Sequence, residues 1–129
     1  MNLLRFSFKA KNKNGSWVFA YFDESGRQLE WRFSSTYGYG NPSQIDTETL
    51  CQSTGILDAD DELIYEHDYL KIIRTYDNNH VLVSKAEVIY EQLKWFFSID
   101  GRKYPLLNLI NNVFSGVTYN IYIIGNKFD

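Results

Sequence analysis

Residues 16–33 run Ser16-Trp17-Val18-Phe19-Ala20-Tyr21-Phe22-Asp23-Glu24-Ser25-Gly26-Arg27-Gln28-Leu29-Glu30-Trp31-Arg32-Phe33. Trp17, Phe19 and Tyr21 alternate with Val18, Ala20 and Phe22, so every second side chain shares a face. Aromatic and β-branched residues at that period are a strand pattern. Asp23-Glu24-Ser25-Gly26 interrupts it as a turn. Leu29, Trp31 and Phe33 then alternate with Glu30 and Arg32. Upstream, Phe6 and Phe8 alternate with Arg5, Ser7 and Lys9, and the loop signal Lys-Asn-Lys-Asn-Gly follows at 11–15. The three runs predict an antiparallel meander.

Outward from this core the pattern changes. Residues 34–49 hold Gly, Ser, Thr and Pro42 without apolar periodicity, which predicts a long loop and a linker. Leu50-Cys51-Gln52 reads as a short strand, Thr54-Gly55 and Asp58–Glu62 as turns, and Asp68–Tyr76 as a strand. Asp77-Asn78-Asn79 is a turn. His80–Ser84 and Ala86–Tyr90 read as one strand with an irregularity near Ser84-Lys85. Lys94–Ile99 ends at Asp100-Gly101, a strong hairpin signal, and Arg102–Tyr104 pairs back on it. After Pro105, the spacing of Leu106, Leu109 and Ile110 predicts a short helix, whose stripe with Val113 and Phe114 closes a barrel end. Thr118–Ile124 is a last strand, stopped by Gly125-Asn126. About eight strands without a βαβ rhythm exclude parallel α/β folds.

Composition supports a folded domain. At 129 residues and 15.2 kDa, roughly two-thirds of the unfolded surface is buried on folding. The 3 Trp, 10 Tyr and 9 Phe exclude a disordered chain. One cysteine, Cys51, allows neither an internal disulfide nor a zinc site of its own. The net charge of −3 speaks against a generic nucleic-acid binder. It is uneven: residues 1–50 hold six Lys/Arg and five acids, whereas residues 51–129 hold seven and eleven. The start is broken by Arg5, Lys9, Lys11 and Lys13 before any apolar signal core forms, and no stretch is long enough to span a bilayer. The expectation is a cytoplasmic protein without a membrane partner.

Thr54-Gly55-Ile56-Leu57-Asp58 followed by Glu62-Leu63-Ile64-Tyr65-Glu66-His67-Asp68-Tyr69-Leu70-Lys71 resembles the signature of the YopX-like proteins of phages and prophages. Glu87-Val88-Ile89-Tyr90, Trp95-Phe96-Phe97 and the terminal Ile124-Gly125-Asn126-Lys127-Phe128 fit the same pattern. Leu4-Arg5-Phe6-Ser7-Phe8 is a fainter echo of its opening. Three departures stand out. The glycine of the family's Tyr-Glu-Gly-Asp is His67, and the glycine of the preceding turn is replaced within Ala59–Glu62. If the first position requires positive φ, His is one of the residues that tolerate it. The family's early tryptophan is Phe8. The resemblance implies a mainly β protein: an N-terminal antiparallel meander (1–49) followed by a small Src-homology-3-like β-barrel (50–129) with one short helix. It implies no activity.

Asp58, Asp60, Asp61, Glu62, Glu66 and Asp68 crowd together, and Asp58, Asp60 and Glu62 match the first oxygens of a calcium loop. Leu63 and Tyr69 then stand where that loop needs glycine and glutamate, so a solvated turn is the better reading. Cys51 with His67 or His80 lacks the context of a nucleophile site, and phosphate-loop, dinucleotide and metalloprotease motifs are absent. No catalytic residue, cofactor or metal is expected. Lys9, Lys11 and Lys13 with Trp17, and Arg27 and Arg32 with Trp31, Tyr37 and Tyr39, place rings beside positive charge as single-strand binders do; the bland reading makes them sheet core. Trp31, Tyr37 and Tyr39 are the candidate binding residues, because Tyr37-Gly38-Tyr39-Gly40 lies in the long loop, where packing explains rings least. The expected function is a non-enzymatic binding module for a host or phage protein. The alternative is an accessory protein that binds single-stranded DNA or RNA. Self-association stays open.

Overall fold

A computed structural model describes residues 7–25, 28–35, 38–39, 45–109 and 117–129. The chain is mainly β, forming a curled half-barrel sheet and a second sheet, with one 3-10 turn among the described residues. The described residues hold eleven strands: β1 (Phe8–Asn12), β2 (Trp17–Ser25), β3 (Gln28–Ser35), β4 (Gly38–Tyr39), β5 (Ile45–Leu57), β6 (Leu63–Tyr65), β7 (Asp68–Thr75), β8 (Val81–Glu91), β9 (Lys94–Ile99), β10 (Arg102–Pro105) and β11 (Thr118–Asn126). The chain forms two compact units, which meet in sequence between Ile56 and Leu57.

In the first unit, strands pair in the order β4-β3-β2-β1-β5. The meander is therefore present, with Ala10 opposite Val18 and Phe22 opposite Trp31. Burial selects one face of it: Ala10 and Val18 are buried, while Phe19 is 41% exposed. The Asn12 side chain closes the β1–β2 turn, accepting from the Asn14 and Ser16 amides at 3.0 Å each. Gly15 completes that turn at φ +78°.

The linker expected at 34–49 is corrected. β3 runs to Ser35, β4 pairs back on it with Tyr39 opposite Ser34, and β5 begins at Ile45. Leu50-Cys51-Gln52 is the middle of this 13-residue β5 rather than a short strand, and Thr54-Gly55 continues it rather than turning. Apolar periodicity missed β5 because its first half, Ile45-Asp-Thr-Glu-Thr, is largely exposed and polar. A strand needs backbone partners, here β1, more than it needs apolar side chains.

In the second unit the strand order is β10-β9-β8-β7-β11, antiparallel throughout. One face buries Leu70, Ile72, Ala86, Val88 and Phe97. These are register neighbours, Leu70 against Ala86 and Val88 against Phe97, so a single layer is sealed by period-two alternation. Each fully buried aliphatic side chain there contributes about 1.5–3 kcal/mol. Asp100 and Gly101 turn at φ +50° and +82°, the two positive values of a type I′ hairpin. Gln92 and Leu93 make the same kind of turn at +50° and +64°, without the residues that announce it. The irregularity expected near Ser84-Lys85 is absent, since the β7–β8 register runs unbroken from Tyr69–Glu87 to Thr75–Val81. The short helix is a 3-10 turn, Leu106–Leu109, that buries Leu106 and Leu109; Ile110, Val113 and Phe114 lie outside the described residues. β11 continues through Gly125 to Asn126, with a register shift between Ile123 and Gly125.

Candidate functional site

The acidic run of the signature is structural at both ends. Asp58 is nearly buried. Its Oδ1 accepts the Asp60 and Glu62 amides, each at 2.9 Å, and its Oδ2 accepts the Ile123 amide at 3.0 Å. Both oxygens thus hold backbone in place, and among the described residues no group of three or more His, Cys, Asp or Glu could hold a metal ion. Asp61 takes the positive φ (+61°) of this turn, a conformation that glycine adopts without strain.

Asp68 is fully buried. Its carboxylate accepts the Tyr65 amide at 2.8 Å and the Asn126 side-chain amide at 2.9 Å. Asn126 also donates to the Glu66 carbonyl at 3.3 Å and, from its backbone, to the Asp129 carboxylate at 2.7 Å. The Lys127 amide donates to the His67 carbonyl at 2.9 Å. The two most distinctive stretches, Tyr65–Asp68 and Ile124–Asn126, therefore meet in one hydrogen-bonded knot. His67 sits at φ +67°, so the position does require the left-handed backbone expected of a glycine site. Its ring lies between two carboxylates, Nδ1 3.2 Å from Glu87 and Nε2 3.6 Å from Glu66.

A YopX protein profile matches residues 3–129. The chain belongs to the YopX protein family. Within this YopX chain the family signature contributes the side chains of the knot that ties Tyr65–Asp68 to Asn126. No curated protein and no solved structure matches the chain.

Other chemistry-bearing groups are equally occupied. Cys51 is buried, and its thiol donates to the Thr49 carbonyl at 3.3 Å. His80 packs on the Tyr76 ring, with centroids 5.9 Å apart. The ammonium groups of Lys9 and Lys11 lie over the Trp17 ring at 4.5 and 4.6 Å. Lys11 additionally donates to the Gly15 carbonyl at 3.0 Å. Lys13 is exposed in the β1–β2 turn. Of the candidate binding residues, Trp31 lies in β3 and Tyr39 in β4, where the backbone alone is described. Tyr37 lies outside the described residues.

A second aromatic–lysine arrangement was not foreseen. On the outer face of the second unit, opposite its buried layer, Lys71 and Lys85 are direct cross-strand partners. Two like charges so placed destabilise a sheet. Each ammonium lies over a tyrosine, Lys85 over Tyr69 at 4.7 Å and Lys71 over Tyr122 at 5.8 Å. Tyr122 is opposite Lys71 in the β7–β11 register. Neither lysine has a carboxylate within ion-pair distance among the described residues, whereas Lys103 holds Glu91 at 2.6 Å. Glu87, next on this face, is turned to His67. Val81 and Val83 extend the same face and are more than half exposed. The available sequence signal was Tyr69-Leu70-Lys71, an aromatic and a base at i and i+2; its partners Lys85 and Tyr122 are far along the chain.

Proposed function

We propose that this YopX protein is a phage-type, non-enzymatic binding module that presents the outer face of β7, β8 and β11 to an anionic partner. The observation that carries the reading is the Lys71–Lys85 pair. An arrangement that costs stability and that no carboxylate of the described residues neutralises is explained by an anion supplied from outside. The signature carboxylates support it from the other side, because Asp58 and Asp68 are engaged by backbone and side-chain amides. Among the described residues no helix is long and apolar enough to cross a membrane. A host or phage protein with an acidic surface and a nucleic acid both meet the description of an anionic partner.

Chromatography on a polyanion resin tests the reading. A chain of net charge −3 has no bulk reason to be retained at low salt. Retention of the wild type, lost in Lys71→Gln/Lys85→Gln, is the expected result. Wild-type protein in the flow-through sinks the reading.

A further inference from the structure

We infer that the Lys71–Lys85 pair with Tyr69 and Tyr122 is a binding site for single-stranded nucleic acid. The inference rests on the outer face being the binding surface and names its partner's class. Phosphates answer the two ammonium groups. The rings decide between polyanions, because an acidic peptide supplies carboxylates but nothing for a tyrosine face, and a duplex supplies phosphates but hides the faces of its bases. A single strand supplies both.

The geometry also provides a way in. In the free protein each ammonium rests on a ring, which keeps the ring covered and the charge partly satisfied. A cation–π contact at an exposed site is weaker than base–aromatic stacking. When a phosphate draws the lysine outward, the vacated ring accepts a base, so the exchange runs downhill on both counts. Of the acids of residues 51–129, Asp60, Asp61 and Glu62 are exposed in the turn that meets β11 at Ile121 and Ile123, while five others are engaged elsewhere. Asp58 and Asp68 are buried, Glu66 and Glu87 face His67, and Glu91 holds Lys103.

Fluorescence anisotropy with labelled oligo-dT and oligo-rU of about 12 nucleotides tests the site. The two arms separate DNA from RNA through the 2′-hydroxyl. Wild-type protein is expected to bind at least one of them at about 50 mM salt, with duplex of the same length competing poorly. Neutralising two phosphates gives a salt slope near −1.4, so affinity falls about sevenfold between about 50 and 200 mM salt. Lys71→Gln and Lys85→Gln each weaken binding roughly eightfold at about 50 mM salt. Tyr122→Ala weakens it at least about fivefold, while Tyr122→Phe, which keeps the π-face, leaves it unchanged. Thermal melts check that each variant is folded. No binding of either oligonucleotide overturns the inference, as does binding that ignores Tyr122→Ala and is competed equally by polyglutamate. Retention on the polyanion resin without oligonucleotide binding defeats this inference and leaves the binding-module reading standing. Failure of both assays removes both.

Discussion

Replacing Asp68 by alanine strips the acceptor from two buried donors, the Tyr65 amide at 2.8 Å and the Asn126 side-chain amide at 2.9 Å. Asp68 is fully buried, so water does not substitute. A hydrogen bond to a charged group contributes about 1.5–3 kcal/mol, which sets a ceiling near 6 kcal/mol for the pair. Removing the carboxylate also removes the cost of burying it, which offsets part of this, and the net loss is about 3 kcal/mol. For 129 residues, an unfolding entropy of about 2.1 cal/mol/K per residue converts that loss to a fall in Tm of about 10 °C. Circular dichroism melts, with urea unfolding to check the two-state assumption, measure it. A double-mutant cycle with Asn126→Ala should give a coupling of about 1 kcal/mol or more, because the two side chains share one bond. A Tm within about 2 °C of wild type, or strict additivity, refutes the claim that the Tyr65–Asp68 and Asn126 stretches are held to each other by this contact.

Further outcomes follow from other observations. Asp58→Ala leaves three amides without their acceptor and should cost about 2–4 kcal/mol in urea titration; saturating calcium should leave the wild-type Tm unchanged, since those oxygens are already filled. Leu93 is 87% exposed at φ +64°, so Leu93→Gly should stabilise the β8–β9 hairpin by up to about 1 kcal/mol; a lower Tm would contradict the type I′ assignment. Lys71→Gln removes the charge facing Lys85 and should raise stability by about 0.3 kcal/mol at low salt, with the gain vanishing in high salt as the repulsion is screened. Loss of stability in that variant would mean that the ring contact with Tyr122 outweighs the repulsion.

What could be read along the chain is local. The period-two runs at 17–22 and 29–33 gave the meander because a pleated strand turns alternate side chains to opposite faces. Asp100-Gly101 gave its hairpin because two left-handed residues are the requirement of that turn. The loop expected at 34–49 failed where a polar segment became strand by pairing with β1, and the Gln92-Leu93 turn carried no favoured residue at all. His67 lay between these cases: the family resemblance pointed to a glycine position, and the backbone at +67° shows why.

Composition and alternation by themselves determined a folded, mainly β chain, and the signature stretch determined its family. Those properties depend on near neighbours and on totals. The engagement of the signature acids and the outer face of β7, β8 and β11 were decided only in three dimensions. Asp68 and Asn126, and Lys71, Lys85 and Tyr122, are separated by long stretches of chain and become neighbours through strand register alone. A net charge of −3 sums groups wherever they lie. Folding sets Asp58 and Asp68 into amide contacts, turns Glu87 to His67 and leaves two lysines side by side, so a partner meets on that face a pair of positive charges that the total conceals.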